Sequence, residues 1–421
     1  MKTTSCVFNF KVMVATVLVF GLQSTLFSQS LKPGDSIKSL VDFLNAGTFL
    51  SPKDYILKSL EEKDIVVLSE RHHREFTQYK LIVDVIKDKQ FSGDMYTEVG
   101  VFNSGDRINE FLKKEGLSPE QVETEILNIF KKLDMFPLWP NYNYYYLLES
   151  VYQINQQRNQ NEKIFIHPLD VPLDWDSITC DDQYKMFMEM MEPQNNMPTV
   201  IDRNSLMAKH FVRIYDDAKY FNPNKRKALV IMNTYHGYTR IPPYLPNPTE
   251  PFSYSTASYI YKTYPADTKG ILINFYPTSN EIKLVADGKW DAAFKLTGNK
   301  NKGFDFAGTP FGDTKFDLYN FGGSDYKQVN FKYLFDGFIF YEPIENFQLA
   351  VGIPHIFDDS LFVEEFYRRT AIDEHITLDE SKSSIETQNY IKETNELKIN
   401  KHPNLDQYYD LINQWFEINR R

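Results

Sequence analysis

Apolar and polar positions along this chain change period repeatedly, and the changes mark out alternating strands and helices. Ile65 to Ser69 is a short apolar run rich in Val and Ile. It is entered from the charged cluster Glu61-Glu62-Lys63-Asp64 and reads as a buried strand. From Glu75 to Lys89 the pattern turns helical, with Tyr79, Ile82, Val83 and Ile86 along one face. A turn at Ser92-Gly93-Asp94 leads into a second strand, Met95-Tyr96-Thr97. Further strands are predicted at Lys163–Ile166, Ala228–Met232, Gly270–Phe275 and Phe335–Tyr341, the last closing the sheet. Helical patterns occupy Ser36–Asn45, Pro52–Glu62, much of Asp106–Lys163, Cys180–Met191, Asp202–Lys219 and Ala257–Thr263. Ser51 before Pro52 is an N-cap followed by proline at the first helical position. Beyond Asp358 the chain is charged and helical, with Leu405–Phe416 amphipathic. Alternation of this kind predicts an α/β fold with a mainly parallel central sheet flanked by helices.

The domain plan follows from the same pattern. Residues 31–357 form one α/β domain of catalytic type, with a helical insertion at about 105–162, longer than one crossover needs. Residues 358–421 form a charged helical segment that packs on it. Residues 1–30 stand apart: Lys2 and Lys11, then the apolar Val12–Phe20, then Leu22–Phe27 and Ser28-Gln29-Ser30 have the layout of a secretory signal peptide. The apolar run is too short for a spanning helix, and no later segment is apolar enough to cross a membrane. Cys6 precedes the run, so the mature chain keeps only Cys180 and has no internal disulfide. That fits an exported bacterial protein, periplasmic or secreted. At 421 residues the chain buries a large core; its 15% aromatic content is high, and a net charge of -11 argues against nucleic acid as a partner.

Chemistry-bearing residues gather where the predicted strands end. Glu70, with His72 and His73, directly follows the first strand, and Glu98 the second. Asp170 follows the third, and Asn233-Thr-Tyr-His236 the fourth. A parallel sheet places such exits on one edge, where open α/β sheets put their ligand crevices. Ionisable groups beside a core lose hydration without guaranteed partners, so they are poor structural material there. Two chemistries suit the set. A histidine could act as general base toward a water attacking an ester or similar carbonyl, with a carboxylate fixing its tautomer. Alternatively, Glu70, His73, Glu98 and His236 could ligate a divalent metal such as zinc, manganese or iron. A serine elbow, a Walker motif and a dinucleotide fingerprint are all missing from the sequence. The aromatic loop Phe136–Tyr146, with Trp139, reads either as a stacking wall over the site or as rings packed on the domain. The Pro-rich Ile241–Pro248 reads as a loop or lid.

These residues carry a resemblance. Glu70-x-x-His73, Thr97-Glu98-Val-Gly100, Pro168-Leu-Asp170-Val171 and Asn233-x-x-His236 recur in that order in the erythromycin esterase-like proteins. The same core resembles that of the ChaN-like haem-binding lipoproteins and the TIKI/TraB-like proteins, and Phe335–Phe340 is similar to the last strand of the esterase group. The resemblance spans about Lys63 to Pro343. It implies a hydrolase in which His73 is the water-activating base, supported by Glu70, Glu98 and His236. Asp170, Arg74, Trp139 and Asn233 are expected on the substrate side. Ser69 stands where the family usually has glycine, and Arg74 where a small residue commonly follows the histidine. Arg74 could narrow the cleft or pair with a carboxylate. His72 has no counterpart and reads as a residue at the surface or behind the site. The leading reading is an exported hydrolase cleaving an ester or related bond of a small-molecule substrate, with no cofactor required. The alternatives are a ChaN-like haem or iron binder and a metal-dependent hydrolase or peptidase.

Overall fold

The central strand shows why the chain folds as it does. Ile65–Glu70 (β1) is buried at every position, as a parallel strand covered on both faces must be. Successive side chains alternate between faces: Val66 and Leu68 join one hydrophobic cluster, Ile65 and Val67 another. The computed structural model describes residues 36–191, 202–222, 227–240, 254–275, 284–317, 329–403 and 405–419. The signal-like segment 1–30, the Pro-rich loop 241–248 and part of the stretch 283–330 lie outside the described residues.

Seven strands form the main sheet in the order β3-β2-β4-β1-β5-β7-β6. They are β2 (Gly93–Val101), β3 (Ile166–Asp170), β4 (Lys227–Asn233), β5 (Thr268–Ile273), β6 (Lys302–Asp305) and β7 (Gly337–Phe340) beside β1. All pairings are parallel except β6 with β7. The mainly parallel α/β architecture is therefore as expected. On one face pack the helices Pro52–Glu62, Phe76–Lys87, Gly105–Lys113, Pro119–Phe130 and Tyr142–Asn155. On the other, Met207, Ala208, Phe211 and Tyr215 of the helix Arg203–Phe221 and Ala257 and Ile260 of the helix Thr256–Thr263 cover the sheet. A third cluster, dense in aromatic rings around Trp290, Phe311 and Phe338, also takes in Tyr408, Ile412 and Trp415 of the helix Leu405–Asn419. Among the described residues no helix is long and apolar enough to cross a membrane.

Several boundaries differ from the sequence reading, each for a physical reason. The third strand runs Ile166–Asp170, not Lys163–Ile166. Asn155 and Asp94 side chains bind the N–H groups of Ile164 and Phe165 instead (2.8 and 2.7 Å). Pro168 is tolerated inside β3 because that strand lies at the sheet edge. The predicted sixth strand shortens to β7, and the antiparallel β6 closes the sheet in its place. A small antiparallel pair, β8 (Gln348–Val351) with β9 (Lys398–Lys401), was not anticipated; β9 is exposed throughout.

Candidate active site

The order β3-β2-β4-β1 brings the ends of the first four strands side by side. Glu70, the last residue of β1, lies in register with Asn233, the last of β4. The loop that follows β1 is tied down residue by residue. Gln78 accepts from the N–H of Arg71 (2.7 Å) and donates to the carbonyl of His72 (2.8 Å). Asn143 donates to the carbonyl of His73, and Glu75 caps the helix Phe76–Lys87. Arg71 is buried behind the loop. It pairs with Glu75 at 3.0 Å, donates to both oxygens of Asn274, and lies over the Phe347 ring at 3.9 Å. That guanidinium ties β1 to the strand ends on its other side and takes no part in the cleft.

Glu98 is aimed by an irregularity in β2. The register with β3 shifts between Thr97 and Val101, a feature that re-aims side chains beside sites. Thr97 Oγ1 donates to the Val99 carbonyl (2.8 Å), closing the kink. Gly100 has φ +101°, and a Cβ there would stand 3.0 Å from Leu133 and Pro168. Glycine meets both demands.

The kink sends Glu98 between β2 and β4. Its Oε2 accepts from the N–H of Asn233 (2.8 Å). Its Oε1 faces His236 Nε2 at 3.3 Å, His73 Nε2 at 3.6 Å and Arg203 Nη2 at 3.6 Å. His73 turns its other nitrogen, Nδ1, against Glu70 Oε1 in a close contact without hydrogen-bond alignment. Tyr79 in turn donates to Glu70 Oε2 (3.1 Å). The four residues Glu70, His73, Glu98 and His236 are thus brought together at one rim.

Their environments drive the charges apart. Burial opposes a charge on His73, but Glu70 and then Glu98 outweigh it and hold the imidazole well above its usual range. His236 goes the other way: burial lowers it, and the pull of Glu98 does not compensate. Burial by itself would raise Glu98, yet His236, His73 and Arg203 keep it ionised below the ordinary carboxylate range. About a fifth of the His73 side chain (21%) remains exposed, against 1% for Glu70, so the imidazole is the accessible member of that pair. Trp139 packs edge-on against the His73 ring, 5.1 Å between centroids. One ring of the aromatic loop therefore walls the site, while Tyr144 and Tyr145 sink into the core.

The remaining expected residues are placed less centrally. Both oxygens of Asp170 are taken by Arg203 in a bidentate pair at 2.7 Å each, so Asp170 meets the site through that guanidinium. Asn233 caps a short turn with its side chain, bonding Tyr235 N–H (3.1 Å). Arg74 is exposed and lines a separate surface cavity with Pro140 and Tyr390; it neither narrows the cleft nor pairs with a site carboxylate. His72 accepts from Arg74 N–H (3.1 Å) and its ring centroid lies 6.5 Å from that of His73. Burial first, then His73 and Arg74, press His72 down to about 4.

Sequence reasoning missed Arg203, Asn204 and Asp134. Asn204 Oδ1 lies 2.6 Å from His236 Nδ1. Asp134 is buried, and burial pushes its carboxyl up to about 7, aided by Asp170 and opposed by the Phe136 N–H, Arg203 and His73. As for a metal, carboxylates flank both nitrogens of His73. Among the described residues no three His, Cys, Asp or Glu side chains are disposed as a ligand set. As arranged, these donors do not fit a metal.

No family model matches the chain, and no curated protein matches it. Among solved structures it is similar to a Bacillus cereus protein, at 11% identity and TM-score 0.46 over 73% of this chain and 97% of that one. It is also similar to an erythromycin esterase mutant in its open conformation (11%, TM-score 0.40, 68% and 92% covered). A third is ChaN of Campylobacter jejuni with cofacially bound haem (11%, TM-score 0.32, 57% and 91% covered). The structural neighbours thus include members of two of the three groups named from the motifs.

Proposed function

We propose that this chain is an exported hydrolase that cleaves an ester or related bond of a small molecule with an imidazole-activated water. One observation carries the reading: two histidines meet the same carboxylate oxygen, Glu98 Oε1, and their surroundings shift them in opposite directions, His73 up and His236 down. Paired titratable groups whose surroundings push their pKa values apart supply an acid and a base at one pH. His236, neutral, takes a proton from the attacking water on Nε2, and Glu98 stabilises the imidazolium that forms. His73, already a cation between Glu70 and Glu98, gives its Nε2 proton to the departing alkoxide. Arg203, anchored by Asp170, offers positive charge to the oxyanion. This assigns the base to His236 and the acid to His73, the reverse of what the resemblance implied for His73. Export rests on the layout of residues 1–30.

The test is turnover of a panel of p-nitrophenyl esters and lactones by the purified protein. His236→Ala and His73→Ala are each expected to lose on the order of 10²–10⁴-fold in kcat with unchanged circular dichroism. Variants that retain full turnover on a substrate the native protein cleaves would refute the assignment. Titration with hemin separates the binding alternative: a Soret band lost in His73→Ala, with no ester cleaved, replaces the hydrolase by a haem binder.

A further inference from the structure

Two adjacent residues at the start of one helix reach this cluster, Arg203 at Glu98 and Asn204 at His236. Asp202 caps the helix Arg203–Phe221, accepting from Ser205 N–H (3.1 Å) while Tyr259 donates to its other oxygen (2.6 Å). Arg203 then reaches Asp170 and Glu98. Asn204, the next residue, reaches His236.

The orientation of the Asn204 amide is fixed by its other partners. The same Oδ1 that faces His236 Nδ1 also receives the backbone N–H of Thr256 (3.2 Å) and the Thr256 hydroxyl (2.9 Å). A backbone N–H only donates, so the atom there is the amide oxygen and not the nitrogen. An oxygen accepts, so His236 Nδ1 must carry the hydrogen. In the neutral ring the lone pair then sits on Nε2, the nitrogen facing Glu98 Oε1 at 3.3 Å. The opposite tautomer would set a bare Nδ1 against the Asn204 oxygen, two acceptors facing each other at 2.6 Å, and would leave Nε2 without a lone pair for the cleft.

The chemistry of the orienting group matters as well. Glu98 and Asp170 favour a charge on His236, while Arg203 and His73 disfavour it. The Tyr235 ring packs edge-on at 5.2 Å. A carboxylate in place of Asn204 would add a further pull toward the cation. An amide orients the ring without adding charge, which keeps it available as a base.

We propose that Asn204, itself held by Thr256, is a positioning residue that locks His236 in the Nδ1–H tautomer with a basic Nε2 turned to the cleft. The catalytic consequence rests on the hydrolytic reading above; the tautomer does not. The experiment is long-range ¹H–¹⁵N correlation of the histidine rings in the full chain, above the His236 midpoint. Native protein should show His236 protonated on Nδ1 and bare on Nε2. Asn204→Ala should invert or mix that pattern. Thr256→Val, which removes only the hydroxyl donor, should mix it partially in a chain whose amide dispersion is native. Asn204→Asp should keep Nδ1–H and raise the His236 midpoint. On an ester substrate, Asn204→Ala should lower kcat about tenfold or more with KM nearly unchanged, and Asn204→Asp should move the acid limb of the pH profile upward. Nε2–H in the native protein, or an unchanged ring in Asn204→Ala, overturns the proposal. If the tautomer is as stated and no ester is cleaved, the hydrolytic reading fails and this one stands.

Discussion

Replacing Glu98 by glutamine keeps the shape of the side chain and removes its charge. The carboxylate is buried, accepts from Asn233 N–H, and stands 3.6 Å from both His73 Nε2 and Arg203 Nη2. Unit charges at that separation attract by roughly 4–5 kcal/mol at an effective dielectric of about 20, and the burial of the carboxylate offsets much of the sum. Breaking one side of a buried pair costs about 3–5 kcal/mol. Here Arg203 keeps Asp170 and His73 keeps Glu70, so the expected loss sits at the low end, about 3 kcal/mol. The pH dependence has a definite sign. Glu98 is held below its ordinary 4.5 in the folded protein. Its contribution is therefore present above that value and is lost as pH falls toward the folded pKa. Urea unfolding of the native and Glu98→Gln proteins, followed by circular dichroism from about pH 8 to about pH 3, should show a gap that is full near neutrality and narrows below about pH 4.5. A Glu98→Gln protein as stable as the native one at neutral pH, or a gap indifferent to pH, would refute the picture of Glu98 as an ionised hub.

The other expectations are shorter. Asp134 is raised from 3.8 to about 7 by burial, so its ionised form destabilises the fold, with no cost below about pH 4 and the full cost above about pH 7. Asp134→Asn should stabilise the protein at alkaline pH by up to the order of 4 kcal/mol and not at acid pH; equal melting gaps at both ends would sink this. Gly100→Ala should cost about 1–3 kcal/mol through its positive φ and the 3.0 Å contacts with Leu133 and Pro168, and ester turnover should fall with it as Glu98 shifts; an unchanged melting temperature is the contrary result. Dialysis against a chelator should leave turnover intact, and a loss restored by zinc alone would move the chemistry to a metal.

The parts of the molecule that the sequence made legible are those where one physical demand dominates. β1 and β4 read as strands because a parallel strand buried on both faces needs an unbroken apolar run. Glu70 and Glu98 stood out because each follows its predicted strand at once, and His236 because it closes the short exit from β4. β3 was misplaced because its own residues, His167 and Pro168, look unlike a strand until one knows that it is an edge. β6 and β9 are short and mostly polar, and their pairing depends on segments far along the chain. Arg203 and Asn204 could not be read as site residues at all. In the sequence they are ordinary polar residues behind a helix cap, and only the packing of Met207 and Phe211 on the sheet turns their end of the helix toward Glu98. Asp134 was hidden for a similar reason: one acid just ahead of an aromatic loop carries no pattern.

The different surroundings of the two histidines follow from the sheet order and not from the motifs. Strands in a sheet stand roughly 4.8 Å apart, and β4 lies between β2 and β1. Glu98 and Glu70 therefore leave the sheet roughly 10 Å apart. A single imidazole rising from the β1 loop bridges that interval, which is why His73 has a carboxylate on each nitrogen and holds its proton. His236 leaves β4, the strand in the gap, and meets only Glu98; its outer nitrogen is left to whatever the helix on the opposite face provides. That helix provides an amide. Exchange β4 and β1 in the sheet and His236 would leave it two strands from Glu98, while His73 kept Glu70 and came next to Glu98. The motif spacing would be unchanged and the carboxylate oxygen shared by the two histidines would be lost, so the chemistry of this rim is written in the strand order.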